Sequence, residues 1–554
     1  MAVPSWLGYK VTLFFSFIIA MFVTMILIPP LMRSAAHLKI VDVPNDRKVH
    51  SNTIPRIGGV AMLIGTILPI SMWLLPYDQI DAFLLGMGII FIFGLWDDRK
   101  NLDYRLKFLG QIIAVLIVVL YGNVVIKQVP LWSSGVAPDF ISIPLTIFFL
   151  LGITNAINLS DGLDGLAGGT TMLSFGIIAL LSYIVEDIPV LLISLAIIGS
   201  ILGFLRFNTF PASIFMGDGG SQFLGFSVGV LSVMLTQNIH SAFSPALPLI
   251  LLGLPIFDTL LVMGQRIYEK RSPFSPDKNH IHHKLLLLGF DHYEAVVIIY
   301  IIQATLVMSA FYLRYETDAL VLGVYILFCV SMLAFFHFAV TSGRQLVKTL
   351  LGKKSPILRK ISWIHHRRKM FFLILTSSIT MTTVPVFLLI GIIAANNISP
   401  DLSILALLLF LIFAVFSIKH YNESFNWIER ACVYVLCTMV IYITQTSPGE
   451  FERYSTIINI FFAGLVLLIV IGFRFSHGNI YEVTPLDFLV IFIAFTVPNM
   501  PGAQISEGFR DGIPKMIVLY YAVELMLSNV SRHWGNLRLT ILVILALMGL
   551  RGIM

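Results

Sequence analysis

The chain has 554 residues, of which 57% are hydrophobic and 12% are charged, and its mean hydropathy is +0.90. In soluble globular proteins about a quarter of all residues are charged. This composition therefore excludes that class and indicates a membrane protein. A formal net charge of +6 is what Lys-rich and Arg-rich loops on the inner side of a membrane produce, so no nucleic-acid partner is expected.

Apolar stretches long enough to cross a hydrocarbon core of ~30 Å recur along the chain. Backbone amides inside lipid need internal partners, and barrel strands would be shorter with alternating polarity, so the predicted fold class is an all-α polytopic membrane protein. About seven spans are expected after residue 370. Eleven are expected before residue 345, at about 11–32, 59–76, 82–96, 108–126, 141–157, 168–185, 188–205, 221–236, 247–265, 294–313 and 319–341.

The loops between these spans predict the orientation of the chain. With the N-terminus outside, the inner loops up to residue 369 carry 24 Lys and Arg residues, and the outer loops carry three. Positively charged loops stay on the cytoplasmic side, so this asymmetry sets the topology. We interpret residues 346–369 as a basic cytoplasmic linker, attracted to anionic lipid headgroups, between a domain at 1–345 and a multi-span membrane domain at 370–554.

The first inner loop combines cations with small residues. Lys48 is a mobile point charge, Arg56 offers a planar fork of donors, and the glycines at 58 and 59 let a ligand approach the backbone. This combination favours a phosphate-binding loop, with an ordinary cationic loop as the alternative.

The second inner loop begins with two adjacent carboxylates, Asp97 and Asp98, at the end of an apolar span. Like charges side by side disfavour each other's ionised form unless they are solvated, paired or bound to a metal. A helix cap would need one Asp only, so the pair indicates a chemical role.

The third inner loop places Asn158, Asp161 and Asp164 at intervals of three, which puts them on one face of a helical segment. Glycines surround them and basic residues do not, so a divalent cation or the donors of a ligand would have to balance the charge. Hard oxygen ligands of this kind suit Mg²⁺ or Mn²⁺.

The fourth inner loop runs from Asn208 to a Gly-Asp-Gly-Gly-Ser turn that contains Asp218 and opens an apolar helix. Helix N-termini bind anions, so the turn is predicted to hold a pyrophosphate while Asp218 holds its metal ion. A simple N-cap is the alternative for Asp218. Phe215 is a candidate for stacking on a base, and packing is the more common role of a single Phe.

The fifth inner loop contains Arg271 and a histidine cluster at His280, His282 and His283. Zinc sites usually have spaced, convergent ligands and often Cys, so this basic setting favours an anion-binding tip. Two carboxylates within spans, Asp258 and Glu524, are further functional candidates.

Together, the inner face presents carboxylates, glycine-rich turns and cations, which is the inventory for phosphoryl transfer. Transporters place their binding groups near the bilayer midplane. The clustering at span ends on one side therefore favours an enzyme, with a transporter or flippase for lipid-linked sugars as the alternative.

Four segments jointly carry a resemblance: Asp97 and Asp98 with Asn101, residues 158–165, residues 208–221 and residues 280–283. Over about residues 10–345 the chain resembles the polyprenyl-phosphate N-acetylhexosamine-1-phosphate transferases. The resemblance implies a multi-pass enzyme of the bacterial inner (plasma) membrane with a cytoplasmic, Mg²⁺-dependent site. It would transfer the sugar-1-phosphate of a UDP-sugar to a polyprenyl phosphate such as undecaprenyl phosphate, release UMP, and start a cell-envelope polymer such as peptidoglycan, teichoic acid or O-antigen.

The resemblance also implies roles for particular residues. Asp218 would bind Mg²⁺, with Asp161 as a further candidate ligand, and Asp97 or Asp98 would act on the lipid phosphate. The other positions would bind the uridine diphosphate, the sugar or the diphosphate: Asn158, Asp161, Asp164, Asn208, Phe215, Arg271, His280, His282 and His283.

The histidine string at residues 280–283 is similar to the branch that uses UDP-N-acetylglucosamine. Other UDP-N-acetyl sugars and UDP-N-acetylmuramoyl-pentapeptide stay open as donors, as do direct attack and a covalent aspartyl intermediate. The oligomeric state, a homodimer included, also stays open. Residues 370–554 carry no comparable motif and are expected to be either a second domain with its own substrate or a scaffold.

Overall fold

A computed structural model describes residues 9–42, 53–74, 77–100, 102–132, 135–237, 242–272, 279–341, 362–395, 398–419, 427–446, 454–475, 484–499, 507–528 and 534–552. Helices dominate these ranges, and the predicted all-α polytopic fold class is confirmed. Among the described helices, thirteen are long and apolar enough to cross a membrane.

Each of the eleven spans predicted before residue 345 overlaps a helix or a consecutive helix pair. In chain order the described helices of this part are α1 Tyr9–Leu38, α2 Gly58–Trp73, α3 Asp78–Lys100, α4 Tyr104–Leu116, α5 Asp139–Ser160, α6 Leu166–Ile184, α7 Ile188–Asn208, α8 Gly217–Gln237, α9 Leu247–Leu251, α10 Gly253–Tyr268, α11 Ile281–Leu287, α12 His292–Tyr312 and α13 Asp318–Thr341. Helix α11 is short and lies in the predicted fifth inner loop. A five-residue π-helical turn, Ile117–Tyr121, continues α4.

The ninth predicted span is broken at Leu252, between α9 and α10. Pro255 has no amide hydrogen to give to the carbonyl of Leu251 four residues earlier. That carbonyl instead accepts hydrogen bonds from Ser174 Oγ (3.0 Å) and from Gln303 Nε2 (2.9 Å). Side chains of two other helices therefore donate to the carbonyl that the helix break leaves without an amide partner.

A short antiparallel hairpin, β1 Val41–Asp42 and β2 Ile54–Pro55, precedes α2. The segment before α8 pairs with its end, because the amide of Phe215 donates to Pro55 O (2.8 Å) and Gly58 donates to Phe215 O (2.9 Å). The first and fourth inner loops are thereby joined by backbone hydrogen bonds.

Helices α3 and α8 cross very closely where both approach this joined segment. A Cβ atom on Gly94 would lie 2.5 Å from Gly219 Cα, which no side chain tolerates. The missing side chains let the carboxylates at the end of α3 meet the first turn of α8.

The chain divides into two compact units, one formed by residues 1–352 with 484–489 and the other by residues 353–483 with 490–554. The later helices are α14 Ser362–Ala394, α15 Pro400–Lys419, α16 Trp427–Thr446, α17 Ser455–Phe475, α18 Pro485–Asn499, α19 Glu507–Ser528 and α20 Trp534–Arg551. Helix α14 begins inside the segment predicted as a linker, so part of residues 346–369 is helical.

Two ion pairs connect helices of the second unit. Arg538 of α20 is fully buried against Glu429 of α16, with Nε–Oε1 at 2.6 Å and Nη2–Oε2 at 2.9 Å. Arg430 of α16 pairs with Glu524 of α19 at 3.2 Å, and Tyr434 also donates to Glu524. Glu524, a functional candidate in the sequence, therefore lies in an interhelical ion pair.

Candidate active site

Four helices bring their polar ends together on one side of the first unit, and Lys107 of α4 lies between them. Its Nζ is 2.9 Å from Asp97 Oδ2 at the end of α3 and 3.1 Å from Asp218 Oδ2 at the start of α8. Asn158 of α5 donates from Nδ2 to Asp218 Oδ1 at 2.8 Å and accepts from Lys107 at 3.4 Å. Residues separated by up to about 120 positions thus form one charged cluster, which we call the Lys107 cluster: Asp97, Lys107, Asn158 and Asp218.

Asp98 is adjacent to Asp97 but has a different environment. Its carboxylate accepts hydrogen bonds from the backbone amides of Asp218 (2.8 Å) and Gly219 (3.1 Å), so it caps the N-terminus of α8. The turn that contains these two amides was predicted to hold a pyrophosphate, and in the structure both amides donate to Asp98.

The turn before α8 requires glycine. Gly217 has φ +73°, and a Cβ atom there would lie 2.4 Å from Asp98 Oδ2. The left-handed conformation lets the chain turn into α8 directly over the Asp98 carboxylate. Asp98 and Gly217 together set the position of Asp218.

Of the two cations predicted in the first loop, Lys48 lies outside the described residues. Arg56 forms an ion pair from Nη2 to Asp42 Oδ1 at 2.7 Å. Its backbone carbonyl lies close to Gly217, where a Cβ atom would come within 2.7 Å of it. Arg56 is therefore next to the turn that carries Asp218.

Two predicted ligand residues connect the third and fourth loops. Asn208 is buried, accepts from the amide of Gly165 (3.0 Å) and donates to Ile214 O (2.8 Å), so backbone groups occupy both ends of its amide. Asp164 Oδ2 accepts from the amide of Ala212 at 2.9 Å. Both side chains hold these loops together.

Phe215 and Asp161 flank this loop pair. The half-buried Phe215 belongs to the segment whose backbone pairs with Pro55. Asp161 directly follows the end of α5 and is exposed, whereas Asp97 is the carboxylate that shares Lys107 with Asp218.

The histidine cluster is anchored by Asp258 of α10. This buried carboxylate accepts from the amide of Ile281 (2.8 Å) and contacts His280 Nδ1 (2.8 Å), which fixes the start of α11. The His280 and His282 rings stack with centroids 5.8 Å apart. A Cβ atom on Gly162 would lie 2.2 Å from His282 Nε2, so the cluster lies against the third loop.

Burial, followed by the neighbouring His283, lowers the pKa of His282 to about 3. His282 is therefore neutral near pH 7 and is available for hydrogen bonding, not as a positive charge for an anion. Arg271 is exposed and pairs with Glu269 two residues earlier (Nε–Oε2 2.8 Å).

From the sequence, Lys107 contributed only to the count of Lys and Arg residues in the inner loops. A cation in the first turn of an apolar helix, just after the paired carboxylates, was the signal that could have identified it. Asp258 was noted as an intramembrane carboxylate, but its contact with the histidine cluster was not foreseen.

The oxygen atoms around Lys107 suit a divalent cation. Among the described residues, no group of three or more His, Cys, Asp or Glu side chains has the geometry to hold a metal ion. Mg²⁺ needs only one or two protein carboxylates, with water and substrate oxygens completing its shell. Asp97 and Asp218 aim oxygens at the same Nζ, so this pair fits such an ion.

The region that contains this cluster is similar to known proteins. The family model described as glycosyl transferase family 4 matches residues 80–236, a range that includes all four members of the Lys107 cluster. A Bacillus subtilis (strain 168) protein, named as a probable undecaprenyl-phosphate N-acetylglucosaminyl 1-phosphate transferase, is 38% identical over 304 residues, covering 54% of this chain and 85% of that protein.

Two further relatives have related names. A Mycobacterium leprae decaprenyl-phosphate N-acetylglucosaminephosphotransferase is 35% identical, covering 52% of this chain and 81% of the relative. An Escherichia coli O157:H7 undecaprenyl-phosphate α-N-acetylglucosaminyl 1-phosphate transferase is 29% identical, covering 49% of this chain and 76% of the relative. The similarity spans most of each relative and about half of this chain.

Proposed function

Because the chain belongs to glycosyl transferase family 4, we propose that it transfers N-acetylglucosamine-1-phosphate from a UDP-sugar to undecaprenyl phosphate and releases UMP. The observation that carries the proposal is the Lys107 cluster, in which two carboxylates, one lysine and one asparagine from four helices converge at one end of the bundle. The reaction would take place at the inner membrane of a bacterium, and the distribution of Lys and Arg supports a site on its cytoplasmic face.

In this reaction an oxygen of the polyprenyl phosphate attacks the phosphorus next to the sugar. A new P–O bond forms to that phosphorus, the P–O bond to the uridine-bearing phosphate breaks, and the electron pair leaves with UMP. Asp97 and Asp218 would hold Mg²⁺, or Mn²⁺ in its place, and the bound ion would neutralise phosphate charge. Lys107 would exchange its carboxylate contacts for phosphate oxygens and stabilise the charge that develops there.

We assign Asp98 a positioning role, because both of its oxygens accept amide hydrogen bonds from α8. This occupation supports direct attack by the lipid phosphate over an intermediate on Asp98. Asn158 would orient Asp218. Asn208 and Asp164 would shape the donor site through the loops that they join.

The histidine cluster would contact the sugar or the diphosphate by hydrogen bonding. It lies against the third loop through His282 and Gly162, close to the residues assigned to the donor. Asp258 would keep His280 oriented. A neutral His282 suits a donor or acceptor for sugar hydroxyl and acetamido groups.

The test is release of UMP from UDP-N-acetylglucosamine by the purified full chain, with and without undecaprenyl phosphate and with and without Mg²⁺. We expect release only when lipid and metal are both present, and Asp218→Asn should abolish it in folded protein. If UMP were released from another UDP-N-acetyl sugar and not from UDP-N-acetylglucosamine, that other sugar nucleotide would be the donor. Movement of a lipid-linked sugar across vesicles without UMP release would instead identify a transporter.

We also propose that residues 1–345 form the transferase domain and residues 370–554 a second membrane domain, of which residues 484–489 belong to the first compact unit. The family match lies entirely within residues 1–345. In the second unit, the ion pairs of α16 connect this helix to α19 and α20, which belong to the same unit. The test is a cleavable site inserted after residue 345, and UMP release should survive its cleavage.

A further inference from the structure

A layer of neutral amides lies directly beneath the Lys107 cluster. Gln111 of α4 donates from Nε2 to Gln222 Oε1 on α8 at 2.8 Å. Asn155 of α5 donates to Gln111 Oε1 at 2.8 Å and to its own helix at Leu151 O, also at 2.8 Å. Three helices are therefore connected by side-chain hydrogen bonds at this level.

The amide layer repeats the helix pattern of the cluster above it. Gln111 lies four residues after Lys107, Gln222 four residues after Asp218, and Asn155 three residues before Asn158. Each offset is about one helical turn. Three of the four helices that carry the cluster are thus linked one turn deeper in the bundle, where Gln111 and Gln222 are buried.

Gln222 is an unfavourable residue for packing alone. Its Nε2 is buried and has no hydrogen-bond partner within the described part of the chain. Such an unpaired donor lowers stability, and an apolar side chain of similar shape would remove that penalty. In return, Gln222 Oε1 accepts one hydrogen bond from Gln111 of α4.

We propose that Gln222 is a positioning residue, which through Gln111 fixes the register of α8 against α4 and so places Asp218 relative to Lys107. Asn155 extends the same link to α5. This inference rests on the proposed function, because it assigns the amide layer to the geometry of the transferase site.

Gln222→Met is the decisive variant, since Met has a similar length but its thioether is only a weak acceptor for Gln111. Gln111→Met removes the same bond from α4, and the double variant closes a cycle. Gln303→Met is the matched control, because Gln303 is a fully buried glutamine that supports the α9–α10 break away from the cluster. For each full-length variant, Mn²⁺ binding is titrated by electron paramagnetic resonance, and unfolding temperature and UMP release are measured.

We expect Gln222→Met and Gln111→Met each to weaken Mn²⁺ binding by about 3- to 10-fold, the effect of losing one neutral hydrogen bond. The double variant should bind Mn²⁺ no more weakly than Gln111→Met alone, because Gln111→Met already removes the bond to Gln222 as well as the bond from Asn155. Gln222→Met should keep or raise the unfolding temperature, whereas Gln303→Met should lower it and leave Mn²⁺ binding unchanged.

Wild-type Mn²⁺ binding in folded Gln222→Met would overturn the inference, as would fully additive effects in the double variant. Equal weakening by Gln303→Met would also overturn it, because general loss of stability would then explain the effect. Wild-type protein that releases no UMP contradicts the proposed function and this inference with it. Wild-type release combined with an unaffected Gln222→Met contradicts the inference alone.

Discussion

Replacing Lys107 by methionine removes one charge and keeps most of the side-chain volume. Its Nζ contacts Asp97 at 2.9 Å and Asp218 at 3.1 Å, and charged hydrogen bonds each contribute about 1.5–3 kcal/mol. The Asp218 side chain is 35% exposed, so water partly replaces its bond, and we expect a net loss of about 2–3 kcal/mol of folding free energy.

The expected loss of activity is larger than the loss of stability. If Lys107 stabilises charge on the transferred phosphate, removing it should lower the turnover rate by about 10²- to 10³-fold. The Michaelis constants should change much less, because the interaction strengthens as the new bond forms. The assay is UMP release at saturating UDP-sugar and lipid, with unfolding temperature measured in the same detergent.

Lys100→Met is the matched control, because Lys100 ends α3 with an exposed side chain. It should keep its turnover within about twofold and its unfolding temperature within error. Added Mg²⁺ should raise the unfolding temperature of Lys107→Met more than that of the wild type, because the two carboxylates then lack their cation. Turnover of Lys107→Met close to that of Lys100→Met would refute the assignment of Lys107 to the reacting phosphate.

Two other substitutions test separate parts of the structure. Gly217→Ala should reduce UMP release by at least about tenfold, since a left-handed residue costs about 1–2 kcal/mol and the new methyl would meet Asp98. Gly152→Ala, in open space on α5, should leave release unchanged and serves as its control. Arg538→Met should destabilise the second unit by about 3–5 kcal/mol by leaving Glu429 buried and unpaired, seen as earlier proteolysis, while UMP release persists. Loss of release in that variant would contradict the separation of the two domains.

The helices were predictable because each span is a long apolar stretch between polar loops. The break at Leu252 was not, since the partners of the Leu251 carbonyl come from Ser174 and Gln303 on distant helices. A hydropathy profile identifies the apolar stretch, but it does not show which carbonyl lacks an amide donor because of Pro255.

The site was predicted as a set of loops but not as a geometry. Asp97 and Asp98 are equivalent in sequence, yet successive helical residues point about 100° apart. One therefore faces Lys107 while the other caps α8. Asn208 shows a different limit of the sequence. A polar residue in a loop that leads to a glycine-rich turn suggests contact with a ligand. In the structure its side-chain amide instead bonds to backbone groups of the neighbouring loops.

The cap on α8 also has a consequence for the order in which the protein is made. The carboxylate of Asp98 finds its amide partners 120 and 121 residues further along the chain. At synthesis rates of about 5–20 residues per second, those partners leave the ribosome some 6 to 24 s after Asp98 does. During that interval the end of α3 has to stay hydrated, and the Lys107 cluster is complete only when the eighth helix has inserted.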